Sequence, residues 1–121
     1  MITTLPQNPA IALVQSNVPV LVDAQSALDL MATIQHEYHC NKFIIYKQAI
    51  AEEFFDLSTC IAGEVLQKYT NYHIKMAIVG DFSTYTSKSL KDFIYESNKG
   101  NSFYFVATQA EAQQKLEAAQ E

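Results

Sequence analysis

Three short, continuous apolar runs limit the folds open to this chain more than any other feature. They are KFIIYK, IKMAIVG and SFYFVA, at residues 42–47, 74–80 and 102–107. Their apolar side chains are consecutive rather than alternating, which is typical of strands buried on both faces of a sheet. Because helical patterns lie between them, around residues 52–70 and 88–98, the order predicts parallel strands joined by right-handed helical crossovers.

Two further apolar runs near the start of the chain predict a hairpin. AIALVQ and VPVLV lie on either side of Ser16 and Asn17, and Pro19 is tolerated best in an edge strand. These strands would complete a mixed sheet with the parallel ones. The sequence therefore predicts an α/β fold: a single domain of residues 1–121, with a core at about 10–119, flexible termini and about four helices.

Capping residues mark the ends of two predicted helices. Asp23 predicts the start of a helix that continues to about Cys40, with apolar residues recurring every three or four positions. Another helix is expected from about Lys88. Gly100 is expected to stop it in the left-handed conformation.

The last helix is predicted from a capping box. Thr108 and Glu111 have the spacing of that motif, and the apolar stripe that follows is thin. We expect this helix to dock on the sheet and to fray at Gln120 and Glu121.

Composition excludes several functional classes. The net charge is −5, and all eight basic residues are scattered lysines, with no arginine. Nucleic-acid binders need a concentrated basic patch, so we predict no nucleic-acid partner. The scattered lysines also form no cluster that an acidic membrane surface could attract. No run approaches the roughly 20 apolar residues of a bilayer-spanning helix.

Cysteine usage and the start of the chain predict a cytoplasmic location. Cys40 and Cys60 are the only cysteines, and they form no C-x-x-C motif. Such sparse cysteines favour a reducing compartment. The N-terminal sequence lacks the basic start, apolar stretch and small-residue cleavage site of a secretory signal.

A resemblance to a known family rests on three stretches: FFDLSTCIAGEVLQKYTNYHIKMAIVGDF, SKSLKDFIYESNKG and FYFVA. They resemble a bacterial family described as a domain of unknown function, DUF4180, and the resemblance extends over most of the chain from about Val20. Members commonly have Gly where this chain has Cys60, which argues against a thiol role shared by the family. The resemblance implies a fold and a bacterial origin, and no activity.

The order of elements also resembles STAS domains, the fold of anti-sigma-factor antagonists and some sensory modules. Those domains carry a regulatory Ser or Thr in a D-S-[ST]-G context at the start of a helix. Asp56, Ser58 and Thr59 lie in the corresponding place here, although Leu57 intervenes and Cys60 replaces the glycine. The resemblance implies a non-catalytic regulatory module whose helices cover mainly one sheet face.

The segment FFDLSTCIAGEVL allows two interpretations. In one, a continuous helix begins near Glu52, and its 100° rotation per residue places Ser58 at the centre of the buried face. In the other, the helix begins near Asp56, so that Ser58 and Thr59 occupy a first turn that favours an added phosphate. We favour the continuous helix, because Glu52 and Glu53 suit a first turn.

The loop after the second central strand is a candidate ligand site. Asp81 and Ser83 follow the carboxyl end of that strand, where open parallel sheets bind ligands. Ser87, Lys88 and Ser89 then begin a helix whose free amides could hold a small anion. The alternative, a polar turn with a helix cap, is favoured because the loop has no G-x-G-x-x-G or G-K-[ST] fingerprint.

Metal binding and catalysis have weaker support. His36, His39 and Cys40 have a spacing that could hold a metal ion on one helix. However, His36 and Cys40 fall opposite the apolar stripe, and no second cluster offers further ligands. Since the G-x-S-x-G motif is also missing, we predict no metal, no cofactor and no catalytic residue, and the sequence favours a protein that is not an enzyme.

The aromatic content favours a protein partner. Seven tyrosines and seven phenylalanines are many for 121 residues. Tyr95 falls on the polar side of its predicted helix, and exposed tyrosine is enriched at protein interfaces. We therefore expect a homodimer or a partner protein, with Tyr95 in the interface. The alternative is a tyrosine that lies along its own helix.

Overall fold

The computed structural model describes residues 1–119 as one mixed sheet with helices on both faces. The sheet has five strands: β1 (Ile2–Thr4), β2 (Ile11–Val14), β3 (Lys42–Tyr46), β4 (Lys75–Val79) and β5 (Phe103–Val106). Four α-helices accompany them: α1 (Ala24–Tyr38), α2 (Ile61–Asn71), α3 (Lys88–Lys99) and α4 (Gln109–Ala118). The predicted α/β class, mixed sheet and helix number are confirmed.

The strands lie side by side in chain order. β1 is antiparallel to β2, and β2 to β5 are all parallel. Three successive crossovers therefore move the chain one strand along in the same direction. Because such crossovers share one hand, their helices fall on the same face, and α1, α2 and α3 do pack there.

Alternate residues of the strands build two cores. Phe43, Met76 and Phe105 face α1, α2 and α3, whereas their neighbours Ile44 and Ala77 face α4. Both sets are buried, which explains why the central strands read as continuous apolar runs. The predicted docking of the last helix is confirmed, and α4 closes much of the sheet face that the STAS resemblance left open.

The predicted hairpin is wrong in its strands. β2 pairs with β1 at the start of the chain, with Ile2 opposite Val14. It does not pair with residues 18–22. That later segment makes only an isolated bridge from Leu21 to Ile50. Its backbone leaves the sheet because Ser16 Oγ donates to the Val18 carbonyl and accepts from the Val18 N–H, which fixes a tight turn.

Helix α1 begins as predicted and ends slightly earlier. The carboxylate of Asp23 accepts from the Ser26 N–H at 2.8 Å, and Ser26 Oγ accepts from the Asp23 N–H at 3.0 Å. The Ser26 amide and hydroxyl lower the pKa of Asp23. The helix stops at Tyr38, because His39 adopts the left-handed conformation with φ 57°.

The other helix ends show one correction. α3 ends where predicted, but Gly100 is extended, with φ −82°, so the expectation of a left-handed glycine there is wrong. Thr108 caps α4 by accepting from the Glu111 N–H, as predicted. The fraying expected at Gln120 and Glu121 lies outside the described residues. Within residues 1–119, no helix is long and apolar enough to cross a membrane.

Candidate functional site

The chain between β3 and α2 consists of three short 3-10 turns. They span Lys47–Ala49, Glu52–Phe55 and Leu57–Thr59, and α2 begins only at Ile61. The continuous helix from Glu52 is therefore wrong, and so is a helix start at Asp56. The cause is local: the Asp56 carboxylate binds its own turn, and Cys60 has φ 66°, a conformation that favours glycine and interrupts a helix.

Ser58 and Thr59 are both exposed in the turn before α2. Ser58 donates its hydroxyl to Asp56 Oδ1 at 2.6 Å, and its N–H donates to the same oxygen at 3.1 Å. These two bonds lower the pKa of Asp56. Thr59 Oγ1 donates towards the carbonyls of Glu53 and Asp56, each at 2.8 Å. The burial of Ser58 expected for a continuous helix is thus not observed.

A surface groove of about 600 Å³ lies between α2 and α3. Its wall is mostly apolar. We call it the interhelical groove, and its lining residues are Leu57, Cys60, Gly63, Glu64, Gln67, Lys68 and Phe93. A Cβ atom at Gly63 would have no heavy atom within 4 Å, so this glycine leaves a gap in the helix surface. Leu57 directly precedes Ser58 and Cys60 directly follows Thr59, so the turn that carries the two hydroxyls adjoins the groove.

An aromatic cluster with one lysine lies beyond the carboxyl ends of the strands. The rings of Phe55 and Tyr85 are stacked with centroids 5.4 Å apart. Lys47 Nζ lies 4.9 Å from the Tyr85 centroid and 3.8 Å from Glu52 Oε1. The Tyr85 hydroxyl in turn donates to Glu52 Oε2 at 2.7 Å. These four side chains fasten the loop after β4 to the chain after β3.

The cluster raises the pKa of Lys47 above its ordinary value. The phenol group of Tyr85 raises it most, burial lowers it, and the charges of Glu52 and Asp81 each raise it by a smaller amount. A lysine with a raised pKa holds its proton at neutral pH, so its amine is neither a base nor a nucleophile there. Lys47 thus acts as a fixed positive charge.

The five residues predicted to bind an anion fall into two separate groups. Asp81 Oδ1 accepts from the Ser83 N–H at 2.9 Å and from its hydroxyl at 2.6 Å, forming one closed turn. Ser87 caps α3 by accepting from the Leu90 N–H. Lys88, whose side chain is 88% exposed, pairs with Asp92 at 2.7 Å. Ser89 is an exposed residue of the first turn. The anion site therefore stays a prediction.

Two adjoining grooves cross the carboxyl ends of β2 to β5. One is about 600 Å³ and the other about 510 Å³, and they share Gln48, Gly80 and Asp81. We call the pair the carboxyl-edge trough. A Cβ atom at Gly80 would lie 2.7 Å from Lys47 Cβ, closer than two such atoms can pack. Glycine at this position lets the Lys47 stem cross the end of β4.

The remaining candidates are placed as follows. Tyr95 is 64% exposed, and Lys99 Nζ lies 4.5 Å from its ring centroid, so it contacts its own helix. His36 and His39 are exposed, whereas Cys40 is buried and donates its thiol to the Pro9 carbonyl. Burial raises the pKa of Cys40. Among residues 1–119, no group of three or more His, Cys, Asp or Glu could hold a metal ion.

Sequence reasoning missed the Lys47 cluster and the interhelical groove. Lys47, Glu52 and Tyr85 are separated by up to 38 positions in the chain, and no motif links them. The only signal was the high aromatic content. The groove was missed for another reason, because it depends on where α2 begins.

Comparison with known proteins gives one match. A family model described as "Domain of unknown function (DUF4180)" matches residues 6–116. No curated protein and no solved structure matches the chain.

Proposed function

The chain belongs to the DUF4180 family, and we propose that it is a regulatory protein-interaction module that docks a partner protein in the interhelical groove. The observation that carries this proposal is the gap at Gly63 within a mostly apolar groove of about 600 Å³. A gap of this kind accepts one protruding apolar side chain, as in helix-in-groove recognition. Leu57 and Phe93, both half-buried, would form the contact surface beneath it.

The strand edges favour docking through side chains over the addition of a strand. At the outer edge of β5, the Phe105 N–H donates to Asn98 Oδ1 at 2.7 Å, and Asn98 Nδ2 donates to the Phe105 carbonyl at 3.2 Å. Because these two groups are occupied, a partner strand has fewer free backbone groups to pair with at the edge of β5.

Charge favours a basic partner over a second copy of this chain. The protein has a net charge of −5. The charged residues on the wall of the groove are Glu64 and Lys68, and Asp56 lies beside Leu57 at its end, so two carboxylates stand against one ammonium group. Two identical acidic surfaces repel each other, whereas basic residues flanking an apolar anchor would be attracted. We therefore assign the groove to a partner helix with an apolar anchor and flanking Lys or Arg.

The position of Ser58 supports regulation by phosphorylation. A kinase would transfer the γ-phosphoryl group of ATP to Ser58 Oγ, which loses its proton. The product is a phosphate dianion next to Asp56, the carboxylate that now accepts two bonds from Ser58. Repulsion between the two anions would open this turn and shift Leu57 and Cys60 at the groove. Thr59, which lies beside Ser58, is the second candidate acceptor.

The test begins with a photo-crosslinking residue at Gln67 in cells of the source organism. The crosslinked protein is identified, purified and titrated against the chain by calorimetry. Gly63→Leu fills the gap and should weaken binding at least about tenfold, the loss expected when an anchor is excluded from its pocket. Gln114→Leu, an exposed position on α4, is the control and should bind like the wild type.

Four results would overturn the proposal in whole or in part. No crosslinked protein, or equal affinity of the Gly63→Leu variant, would remove the groove as a docking site. A crosslink between two copies of this chain would replace the basic partner with a homodimer. Phosphate on Ser58 that leaves the affinity unchanged would remove the regulatory role and keep the docking.

A further inference from the structure

We propose that the carboxyl-edge trough binds a small primary ammonium compound with an aryl or alkyl body. This site is separate from the interhelical groove and does not depend on it. The trough crosses the carboxyl ends of β2 to β5, and open parallel sheets place their ligand sites at these ends. Its size suits a compact metabolite.

The charges in the trough favour a cation. Both hydrogen bonds that Asp81 accepts from Ser83 go to Oδ1, so Oδ2 has no hydrogen-bond partner among the described residues. Among the described residues that line the trough, Lys47 is the only cation, and its charge acts on both Glu52 and Asp81. The trough thus holds two carboxylates against one ammonium group. An incoming amine can donate to Asp81 Oδ2, whereas an anion would meet a net negative surface.

The apolar part of the trough lies beside Asp81. Phe82 is half-buried there, and its ring packs edge-on to Phe105 with centroids 5.5 Å apart. Tyr46 lines the same groove from the α4 side of the sheet, and its hydroxyl donates to Gln109 Oε1 at 2.6 Å, which fixes its orientation. An aryl or alkyl body can pack on these rings while its ammonium group reaches Asp81. One carboxylate beside a rigid aromatic wall is suited to an amphipathic cation.

Phenethylammonium is the probe for this site. We would titrate it into ¹⁵N-labelled protein and follow the amide signals of Gly80, Phe82 and Ala107 by NMR. We expect shifts at these three positions, no comparable shifts with phenylacetate, and weaker binding of the neutral 2-phenylethanol. Asp81→Asn keeps an oxygen acceptor for Ser83 and should lower the affinity about 10- to 100-fold, as expected for loss of one charge-assisted bond.

The matched control is Asp92→Asn, which removes an exposed carboxylate paired with Lys88 on α3. It should bind phenethylammonium like the wild type. Equal binding by Asp81→Asn, or shifts that spread over the surface without a set at the trough, would overturn the proposal. Tighter binding of phenylacetate than of the amine would replace the cation site with an anion site. A missing response to all three probes would show that the trough is not a site for this class.

Discussion

The two ends of the sheet are built in opposite ways. At the amino ends of β3, β4 and β5, each preceding helix connects to its strand through only three residues: 39–41, 72–74 and 100–102. At the carboxyl ends of β3 and β4, the connections are 47–60 and 80–87. These longer segments carry the 3-10 turns, the Lys47 cluster and the walls of the trough.

Side chains close the amino end. Lys42 Nζ donates to the Leu116 carbonyl at 2.8 Å and Lys75 Nζ to the Asn101 carbonyl at 2.8 Å. The first contact places a positive charge at the C-terminal end of α4, where the helix dipole is negative. Long side chains thus satisfy main-chain carbonyls at this end. The difference teaches that short connections and lysine side chains close the amino end, whereas the longer connections that line the trough lie at the carboxyl end.

Gly80→Ala should give the largest effect and tests the packing at the carboxyl end. The new Cβ would lie 2.7 Å from Lys47 Cβ, and neither Cβ atom can move unless the backbone that carries it shifts. We expect the free energy of unfolding to fall by about 3 kcal/mol, as for overpacking at a rigid site. Urea denaturation monitored by circular dichroism measures this loss.

Gly63→Ala is the matched control for Gly80→Ala. Its Cβ meets no atom within 4 Å and lies in helix α2, so alanine should raise the stability by about 0.5–1 kcal/mol. Equal effects of the two substitutions would show that the close approach of Lys47 does not constrain Gly80.

Lys75→Met tests the closed amino end. Lys75 is 9% exposed, and methionine keeps most of its apolar length while removing the ammonium group. We expect a loss of about 2 kcal/mol, the value for a hydrogen bond to a charged group. Lys91→Met, at an exposed position of α3, should change the stability by less than about 0.5 kcal/mol. Similar losses for both would mean that lysine does not stabilise the amino end.

Asn98→Ala tests whether a side chain also closes the outer edge of β5. The substitution removes both hydrogen bonds to Phe105 and should cost about 1–2 kcal/mol. It also leaves the Phe105 N–H and carbonyl at the outer edge of β5 unpaired. We therefore expect self-association that increases with concentration in sedimentation velocity. Ser97→Ala, next to it in α3, is the control. A variant that sediments like the wild type would show that Asn98 stabilises β5 without protecting its edge.

The fold was largely predictable because its signals are local. Consecutive apolar residues identified β3, β4 and β5, and Asp23 and Thr108 identified two helix starts. The hairpin failed because VPVLV has strand composition, while the short strand β1 has only the three residues ITT. Composition could not show that Ser16 turns the chain out of the sheet.

The candidate sites were less predictable because they depend on geometry between distant residues. Ser58 and Thr59 were identified, yet their exposure follows from one left-handed residue, Cys60, that periodicity does not reveal. Asp81 was predicted to bind an anion, but only its turn with Ser83 shows which of its oxygens has no hydrogen bond. A helical wheel assumes regular geometry and so failed across the 3-10 turns.

Asp56→Asn should have the smallest effect, and its pH dependence tests the turn that carries Ser58. The Ser58 hydroxyl and amide lower the pKa of Asp56 in the folded protein from its ordinary value of 3.8. A group with a lowered folded pKa stabilises the protein above its unfolded pKa, and this contribution disappears as the pH falls through the folded value. The melting temperature of the wild type should therefore exceed that of Asp56→Asn by a small, constant amount from pH 7 to pH 5, and the difference should shrink below about pH 4.

Ser58→Ala keeps the amide bond and removes the hydroxyl bond, so it should show part of the same pH dependence. A difference that persists unchanged to about pH 3 would mean that Asp56 stabilises this turn through its shape and not through its charge.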